Sequence, residues 1–321
     1  MAAPMKTDAV AASTPTTPST PMRTNPVRRL LYSRGIAPYV FVLPFVLSFL
    51  IFFAYPVFST VVMSFQEVLP GQTRFIGWDN YRHLWNDSFF TALRNNTRYT
   101  FWTLLILIPL PLVLAVFLNS KAMRWSGFFR SALFIPSLTS VVVAGTIFRL
   151  VFGQTDVAVM NMLRHAFGFE TINWLAKSST GMLVLVVLAT WRYAGVNLIY
   201  FLSGLQSIPS DLYESAEIDG ANKWNKFWRI TVPLLKPVTI YVVTISIYGG
   251  YAMFTESFML WSGNHSPNDI GLTMLGYIYR EGIEKNELGF GSAIGLALLA
   301  FLLAVNVVQL KFFGLFKKEE D

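Results

Sequence analysis

Long stretches without a charged side chain alternate with polar segments along most of the chain. Five stretches contain no Asp, Glu, Lys or Arg: residues 35–66, 99–120, 131–148, 237–255 and 288–310. A sixth stretch, about 178–205, is interrupted only by Arg192. A helix needs about 20 apolar residues to cross the hydrocarbon core of a bilayer. The pattern therefore predicts an all-α integral membrane protein with six transmembrane helices, at about 37–64, 99–119, 129–152, 181–205, 238–261 and 290–313.

The composition of the chain favours the same class of fold. Of its 321 residues, 54% are hydrophobic and only 13% are charged, whereas soluble domains carry about 25% charged residues. The chain has no cysteine, which excludes disulfides and thiolate metal sites. A net charge of +7 also occurs in nucleic-acid-binding proteins, but here the basic residues fall mainly between the apolar runs. That placement is typical of membrane orientation, so we expect no nucleic-acid partner.

The positions of the basic residues predict the orientation in the membrane. The N-terminal arm, the segments 119–130 and 206–237, and the C-terminal end together carry 15 of the 25 Lys and Arg residues, and the loops at 65–98, 153–180 and 262–289 carry 8. Segments rich in Lys and Arg stay in the cytoplasm. We therefore expect both termini and the segment 206–237 to lie in the cytoplasm.

Three regions are expected along the chain. Residues 1–35 form a Thr/Pro-rich cytoplasmic arm that is predicted to be disordered, residues 36–313 form the transmembrane domain, and residues 314–321 form a charged cytoplasmic tail. The first apolar run is longer than the core of a signal peptide and no A-x-A site follows it, so cleavage is not expected. We find no internal repeat, which indicates that one chain supplies half of a two-fold assembly.

The polar segment between the fourth and fifth predicted spans has the pattern of a helical hairpin. Ser210 is expected to cap a first short helix that ends near Asp219. Gly220 then permits a sharp backbone turn. A second helix, about 221–231, is expected to end before Pro233, which cannot continue the backbone hydrogen bonds.

This hairpin also carries a recognisable motif. Residues 214–221 read ESAEIDGA, and Phe227, Ile230, Pro233 and Pro237 follow it. The pattern resembles the EAA loop of binding-protein-dependent ABC importers, with a serine in place of the usual second residue, alanine. In that family the loop is the segment by which the membrane subunit contacts its ATPase. The resemblance assigns this coupling role to Glu214, Ser215, Ala216, Asp219, Gly220, Ala221, Phe227 and Pro233. The alternative is an amphipathic hairpin that lies on the membrane surface.

Other segments extend the resemblance over nearly all of residues 36–313. They read FIGWDNY at 75–81, FIP at 134–136, GLQSIP at 204–209 and GFGSA at 289–293. Taken alone, Asp79-Asn80-Tyr81 is better explained as a turn and Pro136 as an ordinary helix kink. In this order they are similar to the carbohydrate-type permeases of the maltose and glycerol-3-phosphate branch, and most of all to oligosaccharide permease subunits.

The resemblance implies a set of partners and a location. These are a second homologous permease, expected to form a heterodimer with this chain, two ABC ATPase subunits, and an extracytoplasmic sugar-binding protein. The complex would lie in the inner or plasma membrane of a prokaryotic cell, where this chain is a multi-pass protein.

A cluster of polar and aromatic residues lies near the middle of the fourth predicted span. Polar groups inside a bilayer are costly, which makes Trp191, Arg192, Tyr193 and Asn197 candidates for the substrate pathway. Aromatic rings pack on the C–H faces of a sugar, and nearby polar groups hydrogen-bond its hydroxyls. The alternative is that Arg192 pairs with another helix, or with the partner subunit, and fixes the packing.

Tyr251 and Glu256, near the outer end of the fifth predicted span, are further candidates for the substrate pathway. They are expected at a cavity mouth or facing the binding protein. Glu256 has an alternative role as the partner of Arg149, which is also expected near the outer end of its span.

The sequence contains no catalytic or metal-binding motif that stands out. H-E-x-x-H and G-x-x-x-x-G-K-[ST] are both absent, so neither a zincin site nor a nucleotide-binding loop is expected. We therefore expect no catalytic residues, no metal site and no cofactor on this chain, with ATP and Mg²⁺ held by the partner ATPase subunits.

The leading hypothesis is the permease subunit of an ATP-driven importer that takes up a carbohydrate, with an oligosaccharide favoured, by alternating access coupled through the EAA loop. One alternative is glycerol-3-phosphate or another polyol derivative in the same type of complex, with Arg192 meeting a phosphate. A second alternative is an ion-driven secondary transporter, which often has two repeated halves. A third is a membrane-embedded enzyme, which requires clustered His, Asp or Glu residues.

Overall fold

The computed structural model describes residues 35–120 and 123–314. Most of these residues are helical, and the described strands are a single antiparallel pair, Gln66–Leu69 and Gln72–Phe75. The prediction of an all-α protein is confirmed. The predicted N-terminal arm and the charged tail lie outside the described residues, apart from Gly35 and Gly314.

The chain divides into two units, residues 1–58 and 59–321. Helix α1 (Ala37–Met63) begins in the first unit. A π-helical turn, Leu50–Ala54, interrupts its regular hydrogen bonding, and the Phe49 and Phe53 rings stack there with centroids 5.1 Å apart.

The second unit contains the remaining elements. In chain order they are strands β1 (Gln66–Leu69) and β2 (Gln72–Phe75) and helices α2 (Asp79–His83), α3 (Asp87–Leu107), α4 (Pro109–Asn119), α5 (Ser126–Leu138), α6 (Val141–Val151), α7 (Val159–Ala166), α8 (Ser178–Gln206), α9 (Ser210–Ile218), α10 (Lys223–Leu234), α11 (Lys236–Tyr251), α12 (Thr255–Leu260), α13 (Met274–Ile278) and α14 (Leu288–Phe312). A 3-10 turn, Pro267–Asp269, precedes α13, and a π-helical turn, Tyr279–Glu284, follows it.

Four described helical segments are long and apolar enough to cross a membrane. They are α1, α3 with α4, α8 and α14. Two bent pairs add one span each when each pair is counted as one: α5 with α6, at 94°, and α10 with α11, at 65°. The count then reaches the six spans that the apolar runs predict.

Three of the predicted span boundaries differ from the structure. The third span is broken at Thr139 and Ser140, whose ψ angles of 134° and 132° are extended rather than helical. The fifth span was predicted to reach residue 261, but α11 ends at Tyr251 and α12 is a separate helix. The second span was predicted from residue 99, whereas its helix begins at Asp87.

The early start of α3 comes from buried asparagines that hydrogen bond to distant backbone. Asn96 donates to the carbonyl of Gly250 at 2.8 Å and accepts from the Met274 backbone N–H at 2.7 Å. Asn95 donates to the carbonyls of Asp269 and Leu272 at 2.9 and 3.0 Å. These bonds satisfy polar groups that are otherwise costly to bury, and they fix the segment before α13 against α3.

The Asp79-Asn80-Tyr81 segment has a structural role of the same kind. Asn80 donates to the backbone carbonyls of Ser64 and Gln66 at 2.9 and 3.0 Å, and the Tyr81 hydroxyl donates to Ser64 Oγ at 2.8 Å. The segment, which forms most of α2, therefore holds the residues that follow α1 and the start of β1.

Helix α8 is the most buried of the membrane-spanning helices. Leu188, Leu198 and Phe201 on this helix are fully buried. Gly195 lets the chain around Leu133 pack directly on α8, because a Cβ at this position would collide with the Leu133 carbonyl. Arg192, near the middle of α8, is also buried.

Candidate functional site

The polar segment 210–234 forms the helical hairpin that the sequence predicts, made of α9 and α10. Gly220 has a φ of +78°, in the left-handed region that residues with a Cβ rarely adopt. The Ala221 N–H donates to the Ala216 carbonyl at 2.8 Å, and the Gly220 N–H donates to the Glu217 carbonyl at 3.1 Å. These bonds cap the end of α9 and turn the chain sharply into α10.

Contacts between the two helices fix the angle of the hairpin. The Tyr213 hydroxyl lies 2.9 Å from Thr231 Oγ1, and Lys226 Nζ lies 3.3 Å from Glu217 Oε1. Asn222 caps α10 by accepting from the Asn225 N–H at 2.8 Å. The hairpin is thus a defined shape rather than an open loop.

Two predictions about the hairpin were wrong in detail. Ser210 is the first residue of α9 rather than its cap, and Pro209 occupies the cap position without a side-chain hydrogen bond. The second helix continues past Pro233 to Leu234. It does so because a π-helical turn, Phe227–Thr231, comes just before the proline and changes the hydrogen-bond pattern where the proline N–H is missing.

The hairpin presents large apolar side chains to its surroundings. Ile218, at the end of α9, is 88% exposed, and Trp224 on α10 is 67% exposed. Trp224, Phe227 and Trp228 contact each other, with the Phe227 and Trp228 centroids 5.1 Å apart. Clustered exposed apolar residues mark interaction sites.

The predicted coupling residues all lie on this hairpin. Glu214, Ser215, Asp219, Gly220 and Pro233 are exposed, and Ala216, Ala221 and Phe227 are half-buried.

A small, mainly apolar pocket with several polar groups lies between α3, α8, α11 and α12. Its volume is about 240 Å³. Its polar lining consists of Tyr99, Thr103, Tyr193, Asn197, Ser246 and Glu256. Three of the predicted pathway residues, Tyr193, Asn197 and Glu256, therefore meet at one place.

One lining residue, Glu256, belongs to a buried ion pair. Arg192 Nη1 donates to Glu256 Oε1 at 3.0 Å, and the two side chains are only 11% and 10% exposed. The Tyr193 hydroxyl donates to the same Oε1 at 3.2 Å. Arg192 Nη2 also lies 3.4 Å from the carbonyl of Thr139, at the break between α5 and α6. Glu256 thus pairs with Arg192, and the expected pair with Arg149 was wrong.

Asn197 has a second, structural role beside the pocket. It donates to the Leu107 carbonyl at 2.9 Å. In a regular helix that carbonyl would accept from the residue four positions later, which is Pro111 and has no N–H. Asn197 therefore satisfies the carbonyl that the proline leaves free.

Three predicted pathway residues do not line the pocket: Arg192, which contacts it only through Glu256 and Tyr193, and Trp191 and Tyr251. Trp191 is 41% exposed, and its ring packs against Phe148 with centroids 5.6 Å apart. Tyr251 is 3% exposed, and its hydroxyl lies 2.8 Å from Thr97 Oγ1.

Sequence reasoning missed Tyr99, Thr103 and Ser246. Tyr99 and Thr103 stand four residues apart, a spacing that places both on one face of a helix. Their position in an apolar span was the available signal. Ser246 shares α11 with Gly249, another residue at the pocket. Among the described residues, no group of three or more His, Cys, Asp or Glu side chains is arranged to hold a metal ion.

Comparison with known proteins adds independent findings. The family described as binding-protein-dependent transport system inner membrane component matches residues 100–314. The arabinooligosaccharides transport system permease protein AraP of Bacillus subtilis (strain 168) is 54% identical over 292 residues, which are 91% of this chain and 93% of that protein. The lactose transport system permease protein LacF of Rhizobium radiobacter is 32% identical over 242 residues, 75% of this chain and 81% of LacF.

Solved structures show the same fold. A bacterial ABC transporter involved in the import of the acidic polysaccharide alginate contains a chain that matches 89% of this one with a TM-score of 0.78. The match covers 97% of that chain at 23% sequence identity, a level that shows the fold alone. A second structure, of an alginate ABC transporter in complex with alginate pentasaccharide-bound periplasmic protein, matches with a TM-score of 0.76 and the same identity, over 88% of this chain and 96% of that chain.

Proposed function

The chain belongs to the family of binding-protein-dependent transport system inner membrane components, and from this premise we propose that it carries an oligosaccharide across the membrane by alternating access driven through its α9–α10 hairpin. Members of this family are non-catalytic permease subunits of ABC transporters, so the ATPase is a separate subunit. The chain is accordingly an inner membrane component of an importer that works with a substrate-binding protein.

Two ATPase subunits would supply the energy, one of them docking on the hairpin of this chain. ATP and Mg²⁺ would be held by these subunits, and this chain would hold no cofactor. The main support for this proposal is that the hairpin is held by its own contacts but exposes an apolar end. Tyr213 and Thr231 join its two helices by a hydrogen bond, while Ile218 is 88% exposed. A rigid element with an apolar tip loses little entropy when it docks.

The hairpin is well placed to move the walls of the pocket. Helix α8, which carries Tyr193, leads directly into the hairpin, and α11, which carries Ser246, leads directly out of it. A displacement of the hairpin by a closing ATPase would therefore be transmitted along both helices. This continuity supports a coupled change between inward-open and outward-open states.

We infer an oligosaccharide as the substrate, with arabinooligosaccharides as the first compounds to test. The relatives named for arabinooligosaccharides cover nearly the whole chain, and the pocket combines tyrosine rings with hydroxyl, amide and carboxylate groups. Its volume of about 240 Å³ is below the roughly 300–1,000 Å³ of ordinary ligand sites. A second homologous permease would complete the pathway, and we propose a heterodimer.

The proposed orientation places the hairpin and both termini in the cytoplasm. The support is the excess of Lys and Arg in those segments and the requirement that the ATPases meet ATP there.

Uptake of labelled arabinotriose in cells tests the proposed function. Deletion of the gene is expected to abolish uptake, and the wild-type chain supplied in trans is expected to restore it. Undiminished uptake in the deletion strain, with no second copy of the gene, would contradict the proposed substrate.

A further inference from the structure

The pocket between α3, α8, α11 and α12 has an unusual distribution of charge. Glu256 contributes a carboxylate to its lining, and none of the described lining residues is basic. The other polar groups are hydroxyls and one amide, from Tyr99, Thr103, Tyr193, Ser246 and Asn197. An incoming solute thus meets neutral hydrogen-bonding groups and one acidic side chain.

Arg192, the basic partner of Glu256, has both terminal nitrogens engaged, while its Nε is buried without a hydrogen-bond partner among the described residues. Its Nη1 donates to Glu256 Oε1 at 3.0 Å and lies 3.2 Å from the Tyr193 hydroxyl, and its Nη2 lies 3.4 Å from the Thr139 carbonyl. Its guanidinium also stacks over the Tyr193 ring, 5.1 Å from the centroid. Of this pair, Glu256 lines the pocket and Arg192 does not.

We propose that this pocket selects uncharged saccharides and rejects anionic ones, and that Glu256 sets the selection by neutralising Arg192. The proposal rests on the proposed function, that of a carbohydrate permease. An anionic group, such as a phosphate or a uronate carboxylate, that binds Nη1 of Arg192 must displace Glu256. The displaced carboxylate would then be buried without its partner, beside a second negative charge, which is strongly unfavourable.

A neutral saccharide meets no such obstacle. A carboxylate offers about four acceptor positions, and Arg192 and Tyr193 both bind Oε1. The second oxygen of Glu256 is left to accept from a sugar hydroxyl, while the tyrosine hydroxyls can donate or accept. The expected glycerol-3-phosphate alternative, in which Arg192 meets the phosphate, loses its basis for the same reason. The fold itself does not set this choice, since solved structures with this fold belong to transporters of an acidic polysaccharide.

Equilibrium binding to the purified complex in nanodiscs, without the binding protein, tests this selection. The probes are arabinotriose as the neutral saccharide and trigalacturonate as the anionic one. We expect wild-type protein to bind arabinotriose at least about tenfold more tightly, because like-charge repulsion and an unpaired buried charge oppose the anion. Glu256→Gln keeps the shape of the side chain but uncovers the charge of Arg192. It is expected to reduce the preference at least about tenfold, chiefly by tighter trigalacturonate binding.

The matched control is Glu281→Gln. Glu281 is an equally buried glutamate with a lysine partner, Lys285 at 2.8 Å, but it lies outside the pocket. Its substitution is expected to leave the preference unchanged. The double variant Arg192→Gln, Glu256→Gln removes both charges and is expected to show a preference between those of wild type and Glu256→Gln.

Three results separate the outcomes. If wild-type protein binds arabinotriose and trigalacturonate with nearly equal affinity, the charge selection is overturned. This measurement uses only the wild-type protein, so it does not depend on the folding of a variant. An unchanged preference in Glu256→Gln, with arabinotriose binding intact, overturns the role of Glu256. If wild-type cells do not take up arabinotriose, the proposed function is overturned instead.

Discussion

At the scale of single residues, Gly220 determines the shape of the docking surface. Its φ of +78° is needed for the turn between α9 and α10, yet a Cβ built there would meet nothing within 4 Å inside the chain. The cost of another residue is therefore backbone strain, about 1–2 kcal/mol for most L-residues. Any larger effect on function must come from a partner that approaches the turn closely.

Replacing Gly220 by leucine tests both requirements together. We expect Gly220→Leu to reduce uptake at least about tenfold while membrane insertion is retained, because the strain is local and small beside total stability. Gly220→Asn is the matched control, since asparagine tolerates positive φ. Uptake that is partly kept by Asn and lost with Leu supports the turn, and normal uptake by Gly220→Leu refutes the role of Gly220.

The Arg192–Glu256 pair yields a second residue-scale prediction. Removing one partner of a buried pair leaves an uncompensated charge, at a cost of about 3–5 kcal/mol. Arg192→Ala and Glu256→Ala are each expected to lower the Tm of the purified complex, and the double variant is expected to melt above at least one of them. Strictly additive losses of Tm would show that the two side chains do not stabilise each other.

The sequence identified half of the polar residues that line this pocket, but not the ion pair beside it. Arg192 and Glu256 stand out as isolated charges in or near apolar runs, so they were predictable as candidate site residues. Which cation meets Glu256 depends on the break after Leu138 and on the end of α11 at Tyr251. Neither feature has a strong local signal, because the nearby Pro136 lies inside α5 and no proline marks the second break.

At the scale of elements, the hairpin is fixed by contacts within itself. The exposed ion pair between Glu217 and Lys226 contributes little, about 0–1 kcal/mol, because the glutamate side chain is 72% exposed. The turn at Gly220, the cap at Asn222 and the Tyr213–Thr231 hydrogen bond set the geometry. The exposed apolar side chain of Ile218 at the end of α9 is not needed for this geometry and is therefore available to contact a partner.

Substitution of Ile218 separates docking from folding. Since Ile218 is 88% exposed, Ile218→Asp is expected to change stability by less than about 0.5 kcal/mol. It is nevertheless expected to reduce co-purification of the ATPase. Ile283→Asp is the control, because Ile283 is also exposed, at 56%, but lies between α13 and α14. Full ATPase recovery with Ile218→Asp would remove this residue from the interface.

The start of α3 and the end of α10 could not be predicted from periodicity and composition. The start of α3 at Asp87 was hidden because its first turns contain Asn95, Asn96 and two arginines, which read as a loop. Only tertiary partners, the carbonyl of Gly250 and the backbone of residues 269–274, make this stretch buried helix. The prediction that α10 ends before Pro233 failed for a similar reason, since no simple sequence pattern encodes the π-helical turn that precedes the proline.

At the scale of the whole molecule, the apolar runs indicated the number and order of the spans but not all of their bounds, because crossing a bilayer requires long uncharged helices whereas breaks depend on tertiary contacts. The hairpin lies between the helices that carry most of the pocket lining, α8 and α11. The central claim is that this hairpin faces the cytoplasm and transmits the motion of the ATPases to the pocket.

The orientation of the hairpin is the most direct test of that claim. The chain has no cysteine, so a single Ile218→Cys substitution provides a unique label site, with Ile283→Cys as its counterpart. A membrane-impermeant maleimide applied to intact cells is expected to label Cys at 283 but not at 218, and inside-out vesicles are expected to show the reverse. Labelling of position 218 from outside intact cells would contradict the account.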